Sequence, residues 1–224
     1  MRTSIIIFPG SNCDQDVASS LYCIFRKKPN LVWYKNKIPK NVDLIIIPGG
    51  FSFGDYLRSG AIASASNIIK QVIAFARKGV PIIGICNGFQ ILTEARLLPG
   101  TLMINKNLKF ICKNVYLKIV NKTSVYSKGF NKNIFNLPIA HKMGNYTISD
   151  EGLSKLIDND QIALKYCSKN GETKLIDNPN GSVLNIAGVL SKNHRILGMM
   201  PHPERFSDIS NKDEIMDQLL RFIK

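Results

Sequence analysis

Two rhythms of hydrophobic and polar positions alternate through the first half of the chain. Ser4–Phe8, Leu31–Tyr34, Asp43–Ile47 and Pro81–Ile85 are short runs rich in β-branched residues and read as strands. The first, third and fourth are nearly continuous in apolar residues, as strands covered on both faces are. Asp14–Phe25, Ala61–Lys78 and Gly88–Leu97 read as the intervening helices. In the second of these, Ile62, Ala65, Ile69, Val72, Ile73 and Ala76 form a helical stripe facing a sheet. Strands and helices in this alternation predict a parallel sheet with crossover helices.

After Pro99-Gly100 the texture changes. Phe110–Val120 and Ser182–Leu190 read as antiparallel strands joined by polar turns such as Asp177-Asn178-Pro179-Asn180-Gly181. Arg195–Met200 reads as a last short strand and Lys212–Ile223 as a closing helix. With no repeat, linker or low-complexity segment, the expectation is one domain over residues 1–224. Its class is α/β: an open, mostly parallel, flavodoxin-like sheet flanked by helices, with antiparallel additions in the second half. Ligands of such sheets gather outside the carboxyl ends of the strands. Three Gly-rich turns end strands here: Pro9-Gly10-Ser11-Asn12, Pro48-Gly49-Gly50-Phe51 and Gly84–Gly88. They are expected to converge on one rim.

Composition narrows the class. The 224 residues are 45% hydrophobic and 21% charged, enough for a large core. No apolar run approaches the roughly 20 residues that span a bilayer. The apolar part of Met1–Gly10 is too short for a signal peptide. Five unevenly spaced cysteines without a C-x-x-C pair argue against a disulfide or zinc framework, so no metal is expected and the cytoplasm is the expected compartment. The net charge of +14 has two readings: a solvated lysine surface reflecting a bias that also enriches Asn and Ile, or a basic patch facing an acidic partner. The lysines are scattered, Arg26-Lys27-Lys28 is the longest cluster, and no nucleic-acid fold motif occurs. No nucleic-acid or membrane partner is expected.

Candidate chemistry centres on one cysteine. Cys13 and Cys86 both follow strands, but Asp14 and Asp16 beside Cys13 disfavour a thiolate. Cys86 has no such neighbour and falls at a helix N-terminus, where the macrodipole favours one. Gly84-Ile85-Cys86-Asn87-Gly88 has the form of a nucleophile elbow, with the Asn87 N–H aimed where an oxyanion would form. Its alternative is a snug strand–helix turn. Cys23, Cys112 and Cys167 sit in ordinary periodic segments. Of the three histidines, His194 lies in a polar turn, whereas His202 follows an apolar strand. Pro203 keeps His202 out of the helical region, and in extended chain Glu204 projects to the same side and can fix its tautomer. A proline-rich turn with a surface ion pair is the alternative.

The two motifs Gly84–Gln90 and Pro201-His202-Pro203-Glu204-Arg205 together resemble the class I triad glutamine amidotransferases. Phe8–Asp14, Pro48–Ala61 and Asn178–Ser182 narrow the resemblance to the glutaminase subunits of phosphoribosylformylglycinamidine synthases, over nearly the whole chain. The resemblance implies that Cys86, His202 and Glu204 hydrolyse L-glutamine through a glutamyl thioester, in de novo purine biosynthesis. It implies an oxyanion hole of the Gly50 and Asn87 N–H groups, Gly50 being small so as not to crowd substrate. Substrate contacts are implied for Gln90, Phe51 and Arg58. For Gln90 a helix-terminus hydrogen bond is the other reading; Arg58 and Asp55 either close a loop over the site or are structural. His141 is a lesser candidate, near the site or a subunit contact, or structural. Lys142-Met143 departs from the family pattern and bears on the partner surface. The implied partners are a synthetase subunit and a small accessory subunit. No cofactor is implied in this chain: ATP and magnesium are used by the synthetase, and no G-x-x-x-x-G-K-[ST] motif occurs.

Two rival readings keep the fold. A non-catalytic flavodoxin-like module would not need cysteine, histidine and glutamate together, and no flavin phosphate loop is evident. Another amidotransferase or a cysteine hydrolase of similar fold is the enzymatic rival. In related hydrolases of the chaperone-protease type the histidine commonly follows the cysteine directly, where this chain has Asn87.

Overall fold

The computed structural model describes residues 1–205 and 214–223. The first half comprises β1 (Thr3–Ile7), α1 (Asp14–Phe25), β2 (Asn30–Trp33), β3 (Leu44–Ile47), α2 (Ala61–Ser64), α3 (Asn67–Arg77), β4 (Ile82–Ile85) and α4 (Asn87–Glu94). The second half comprises β5 (Thr101–Met103), β6 (Ile111–Ile119), β7 (Ile134–His141), β8 (Asn145–Thr147), α5 (Asp150–Asp158), β9 (Ile162–Cys167), β10 (Ile186–Leu190), β11 (Ile196–Met199) and α6 (Glu214–Leu220). No helix among the described residues is long and apolar enough to cross a membrane.

One sheet of nine strands runs in the order β2-β1-β3-β4-β11-β10-β9-β6-β7. Its first five strands are parallel, in the flavodoxin order, with β11 supplied from far downstream. The remaining four join antiparallel. All four residues of β3 are fully buried, as are Ile82, Ile83 and Ile85 of β4. Burying each such side chain contributes about 1.5–3 kcal/mol. That is why these runs are apolar without alternation: helices cover both faces.

Three expectations need correction. The helix Ala61–Lys78 is two helices, because the Ser64 and Ser66 hydroxyls donate to the carbonyls of Ala61 and Ala63, and Ser66 is extended at ψ 156°. Serine hydroxyls competing with the backbone in this way interrupt helices. Ser182–Leu190 is a strand only from Ile186, since Val183–Asn185 form a 3-10 turn with Leu184 left-handed at φ 48°. β6 pairs with β7 and β9, not with β10. β7, β9, α5 and the small β5–β8 ribbon were not anticipated by the periodicity. Lys212 and Asp213 of the closing helix lie outside the described residues.

The three Gly-rich turns do meet, at the carboxyl ends beside the point where strand order reverses. Ser11 and Gly50 form a β-bridge. The Asn12 and Cys13 N–H groups both donate to the Gly49 carbonyl, each at 3.3 Å. β1 and β3 thus end in one interlocked rim, and β4 and β11 deliver Cys86 and His202 to it.

Candidate active site

Cys86 is the single residue between β4 and α4, and its backbone is strained at φ 50°, ψ −104°. A non-glycine residue held there costs about 1–3 kcal/mol, which surrounding structure must impose. Two close approaches impose it. A Cβ on Gly88 would lie 1.9 Å from the Ile47 carbonyl oxygen, and one on Gly84 would lie 2.6 Å from that of Gly88. The flanking glycines therefore let the start of α4 press against β3 and β4. They set the elbow's angle more than they uncover the sulfur, which is 5% exposed as a residue. The Cys86 N–H donates to Met199 of β11 at 2.7 Å, and the thiol faces the Ala140 carbonyl of β7 at 3.6 Å.

His202 follows β11 and is fixed at both ends. Its N–H donates to the Pro138 carbonyl at 2.9 Å, and its Nδ1 lies 2.7 Å from Glu204 Oε1. Glu204 reaches the ring from a 3-10 turn over Pro203–Arg205, not from the extended chain expected, and both side chains are buried. Nε2 has no hydrogen-bond partner among the described residues. Burial works against a charged imidazole, but the charges of Glu204 and Cys86 outweigh it and hold His202 well above its ordinary pKa. The ring thus has one nitrogen committed to a carboxylate and the other available, within the electrostatic reach of Cys86.

Cys13, which the acidic residues after it disfavour as a nucleophile, nevertheless stands beside the base. It precedes α1 directly, 1% exposed, with Sγ 3.9 Å from His202 Nδ1 and 3.2 Å from Asn12 Oδ1. Its thiol is pushed up chiefly by burial, opposed by the hydrogen bond to His202 and aided by the Glu204 charge. Asp14 and Asp16 are not the cause. Nothing in the local sequence announces this proximity, because Cys13 and His202 are 189 residues apart. β7 was missed as well, although two of its carbonyls face His202 and Cys86.

Neither the Gly50 nor the Asn87 N–H donates to another described residue. Two unused donors at the rim can hold a developing negative oxygen. Gly50, however, is glycine for a different reason than substrate room: a Cβ would lie 2.6 Å from the Gly10 carbonyl and 2.7 Å from the Ser11 Cα. The Asn87 side chain pins the following loop, accepting from the Ser52 N–H at 3.1 Å and standing 3.4 Å from Asp55. That loop carries left-handed Phe53, Asp55 and Leu57. Burial raises the Asp55 pKa, partly offset by a Ser59 hydrogen bond.

The other three site residues are engaged elsewhere or peripheral. Gln90 is buried, accepts from Asn87 Nδ2 at 2.8 Å and donates to the Met143 carbonyl at 2.6 Å. Arg58 forms a two-pronged pair with Glu94, both bonds 2.6 Å, which ties the loop to α4. Phe51 stands half-exposed at the rim. His141 is buried against Asn105 at 3.1 Å, and burial together with the His202 charge lowers its pKa to about 4. It is neutral near pH 7 and is no surface contact. Met143 accepts from the Ser59 hydroxyl at 3.2 Å, while Lys142 faces solvent.

A parallel sheet that brings a strained cysteine elbow to a buried His–Glu pair defines a class of protein, and comparison with known proteins names it. A family model described as the CobB/CobQ-like glutamine amidotransferase domain matches residues 1–220, and the chain belongs to that family. Within it the similarity runs to PurQ subunits of phosphoribosylformylglycinamidine synthase. The one from Pelagibacter ubique is 52% identical over 93% of this chain and 91% of its own length. The one from Sulfurimonas denitrificans is 45% identical over the whole of both. The structure of PurLQS from Thermotoga maritima superposes with a TM-score of 0.84 at 36% identity, over 100% of this chain and 99% of that one.

Proposed function

We propose that this chain is the glutaminase subunit of a phosphoribosylformylglycinamidine synthase. Cys86 Sγ attacks the side-chain carboxamide carbon of L-glutamine, with His202 as the proton carrier. The tetrahedral intermediate's oxygen is held by the Gly50 and Asn87 N–H groups. On collapse the C–N bond breaks, the imidazolium protonates the departing ammonia, and a glutamyl thioester is left on Cys86. His202 then takes a proton from water, whose oxygen displaces the sulfur and releases glutamate. Glu204 acts through His202, fixing the proton on Nδ1 so that Nε2 serves as the base.

The observation that carries this reading is the His202 ring, tied to Glu204 through Nδ1 with Nε2 unpartnered, beside a cysteine strained into an elbow. Ammonia is useful only where an acceptor is at hand. It passes to a synthetase subunit, which works with a small accessory subunit and converts formylglycinamide ribonucleotide to its amidine in purine biosynthesis. ATP and magnesium belong to that synthetase, this chain holds no cofactor or metal for the reaction, and the complex works in the cytoplasm. Gln90 and Arg58 act on substrate indirectly, by fixing the rim, and Phe51 borders the glutamine entrance.

A diazoketone glutamine analogue tests the assignment. One adduct per chain is expected, on Cys86 and absent from Cys86→Ser. An adduct on Cys13 instead, or a Cys86→Ser chain that still releases ammonia from glutamine, would sink it. The isolated chain is expected to hydrolyse glutamine slowly and to accelerate in the assembled complex; equal rates would remove the coupling to a synthetase.

A further inference from the structure

The mechanism leaves one buried group unused beside its base, the Cys13 thiol. We propose that Cys13, His202 and Glu204 form an inhibitory zinc site behind the imidazole. Their ligand atoms, a sulfur, the ring nitrogen and a carboxylate oxygen, all lie within 4.8 Å of one another, and all three residues are buried. Cys13 Sγ is 3.9 Å from His202 Nδ1, and Nδ1 is 2.7 Å from Glu204 Oε1. Tetrahedral zinc, with bonds of about 2.0–2.3 Å, sets its ligand atoms roughly 3.5 Å apart. The sulfur–nitrogen gap already approximates that spacing, and the nitrogen–oxygen contact needs to open by less than an ångström-scale side-chain adjustment.

Two further features support the site, and the first points to a missing partner. Glu204 Oε2 is buried with no hydrogen-bond partner among the described residues. The Gly49 backbone packs on both side chains and holds them together, since a Cβ there would lie 2.9 Å from the sulfur and 2.7 Å from His202 Cε1. Thiolate, imidazole and carboxylate are a zinc donor set, and with a dication the sum of charges is zero, which suits a dry pocket. Sequence spacing conceals the site, since its first ligand stands 189 residues before its second.

Zinc there stops the base. With the metal on Nδ1, the one proton of the neutral imidazole sits on Nε2. That nitrogen is then a donor and takes no proton from Cys86. The Glu204 carboxylate is withdrawn from the ring at the same time. Because the metal binds on the Nδ1 side, inhibition lowers kcat and leaves KM for glutamine little changed.

The inhibitory part rests on the glutaminase reading; the metal site does not, so two measurements separate them. Cobalt chloride is titrated into the full-length Cys86→Ser chain, where a near-ultraviolet sulfur-to-cobalt band is expected at one equivalent. The band is expected to vanish in Cys13→Ser/Cys86→Ser and to be displaced by zinc. Glutamine hydrolysis by the wild-type chain is then measured against zinc chloride, with each variant compared to its own metal-free rate. Chelator-reversible inhibition is expected, and Cys13→Ala should need about tenfold more zinc, or beyond. No band in Cys86→Ser, or a band that survives in the double variant, overturns the site, whatever the activity of Cys13→Ala. A normal cobalt band with no zinc effect on an active wild type, or inhibition unchanged in Cys13→Ala, overturns the inhibition. A metal-free wild type that does not hydrolyse glutamine fails the glutaminase reading and leaves the cobalt result to decide the site.

Discussion

His202 Nδ1 lies 2.7 Å from Glu204 Oε1, with both side chains buried and only one residue between them in the chain. Because the Glu204 charge helps overcome the burial that disfavours an imidazolium, Glu204→Gln is expected to lower the His202 pKa. Glutamine hydrolysis should fall by about 10³–10⁴-fold, as when a triad carboxylate becomes an amide. A loss of less than tenfold in a steady-state ammonia assay would show that Glu204 does not direct the base.

The same pair makes a stability prediction with a defined sign. A histidine whose folded pKa is raised stabilises the fold fully below its unfolded value, about 6.5, and loses that contribution as pH rises through the folded value. In Glu204→Gln, burial remains and the largest raising charge is gone, leaving that of Cys86. Wild type should therefore exceed the variant most at the acid end of the range, below about pH 6.5, and the gap should narrow as pH climbs. Urea midpoints that move in parallel across the range would contradict the coupling.

Cys86 offers a test of stored strain. Replacing alanine by glycine ordinarily costs about 0.5–1 kcal/mol of stability in regular structure. At φ 50°, ψ −104° the order should reverse. Cys86→Gly should be more stable than Cys86→Ala by about 1 kcal/mol, both lacking the thiol and both inactive. Equal or inverted stabilities in chemical denaturation would mean that the elbow is not strained.

What the sequence made legible follows the range of the interaction. The parallel strands were readable because both faces are covered, so Leu44–Ile47 and Ile82–Ile85 carry apolar runs that few other structures need. The His202–Glu204 relation was readable because it is local. β7 was not, being a sheet-edge strand with Pro138 in its middle and alternating half-exposed positions, which weakens any strand pattern. Cys13 beside His202 was hidden because the contact depends on β1 and β11 ending on one rim, a property of strand order. Why residue 50 is a glycine is hidden for the same reason: its neighbour is the β1 turn, and no local pattern names it.

Gly88 tests how closely α4 is seated. A Cβ there meets the Ile47 carbonyl at 1.9 Å, a backbone atom that cannot rotate away. Gly88→Ala should cost about 3 kcal/mol or more and displace the start of α4, carrying Cys86 with it. Thermal unfolding and labelling by the glutamine analogue should fall together. A variant with wild-type stability would mean that β3 and α4 pack less closely than this geometry requires.

Arg58 and Glu94 distinguish a clamp from a substrate contact. Their two-pronged bond is half-exposed on the arginine side, so its contribution to global stability should be small, about 0.5–1 kcal/mol. Its work is to hold the left-handed loop after Gly50 against α4. Arg58→Ala and Glu94→Gln should then raise KM for glutamine by similar factors, and the double variant by no more than either alone, since each breaks the same link. If Arg58→Ala raised KM while Glu94→Gln left it unchanged, Arg58 would have to reach glutamine itself, and the loop would be held by Asn87 through its bond to Ser52.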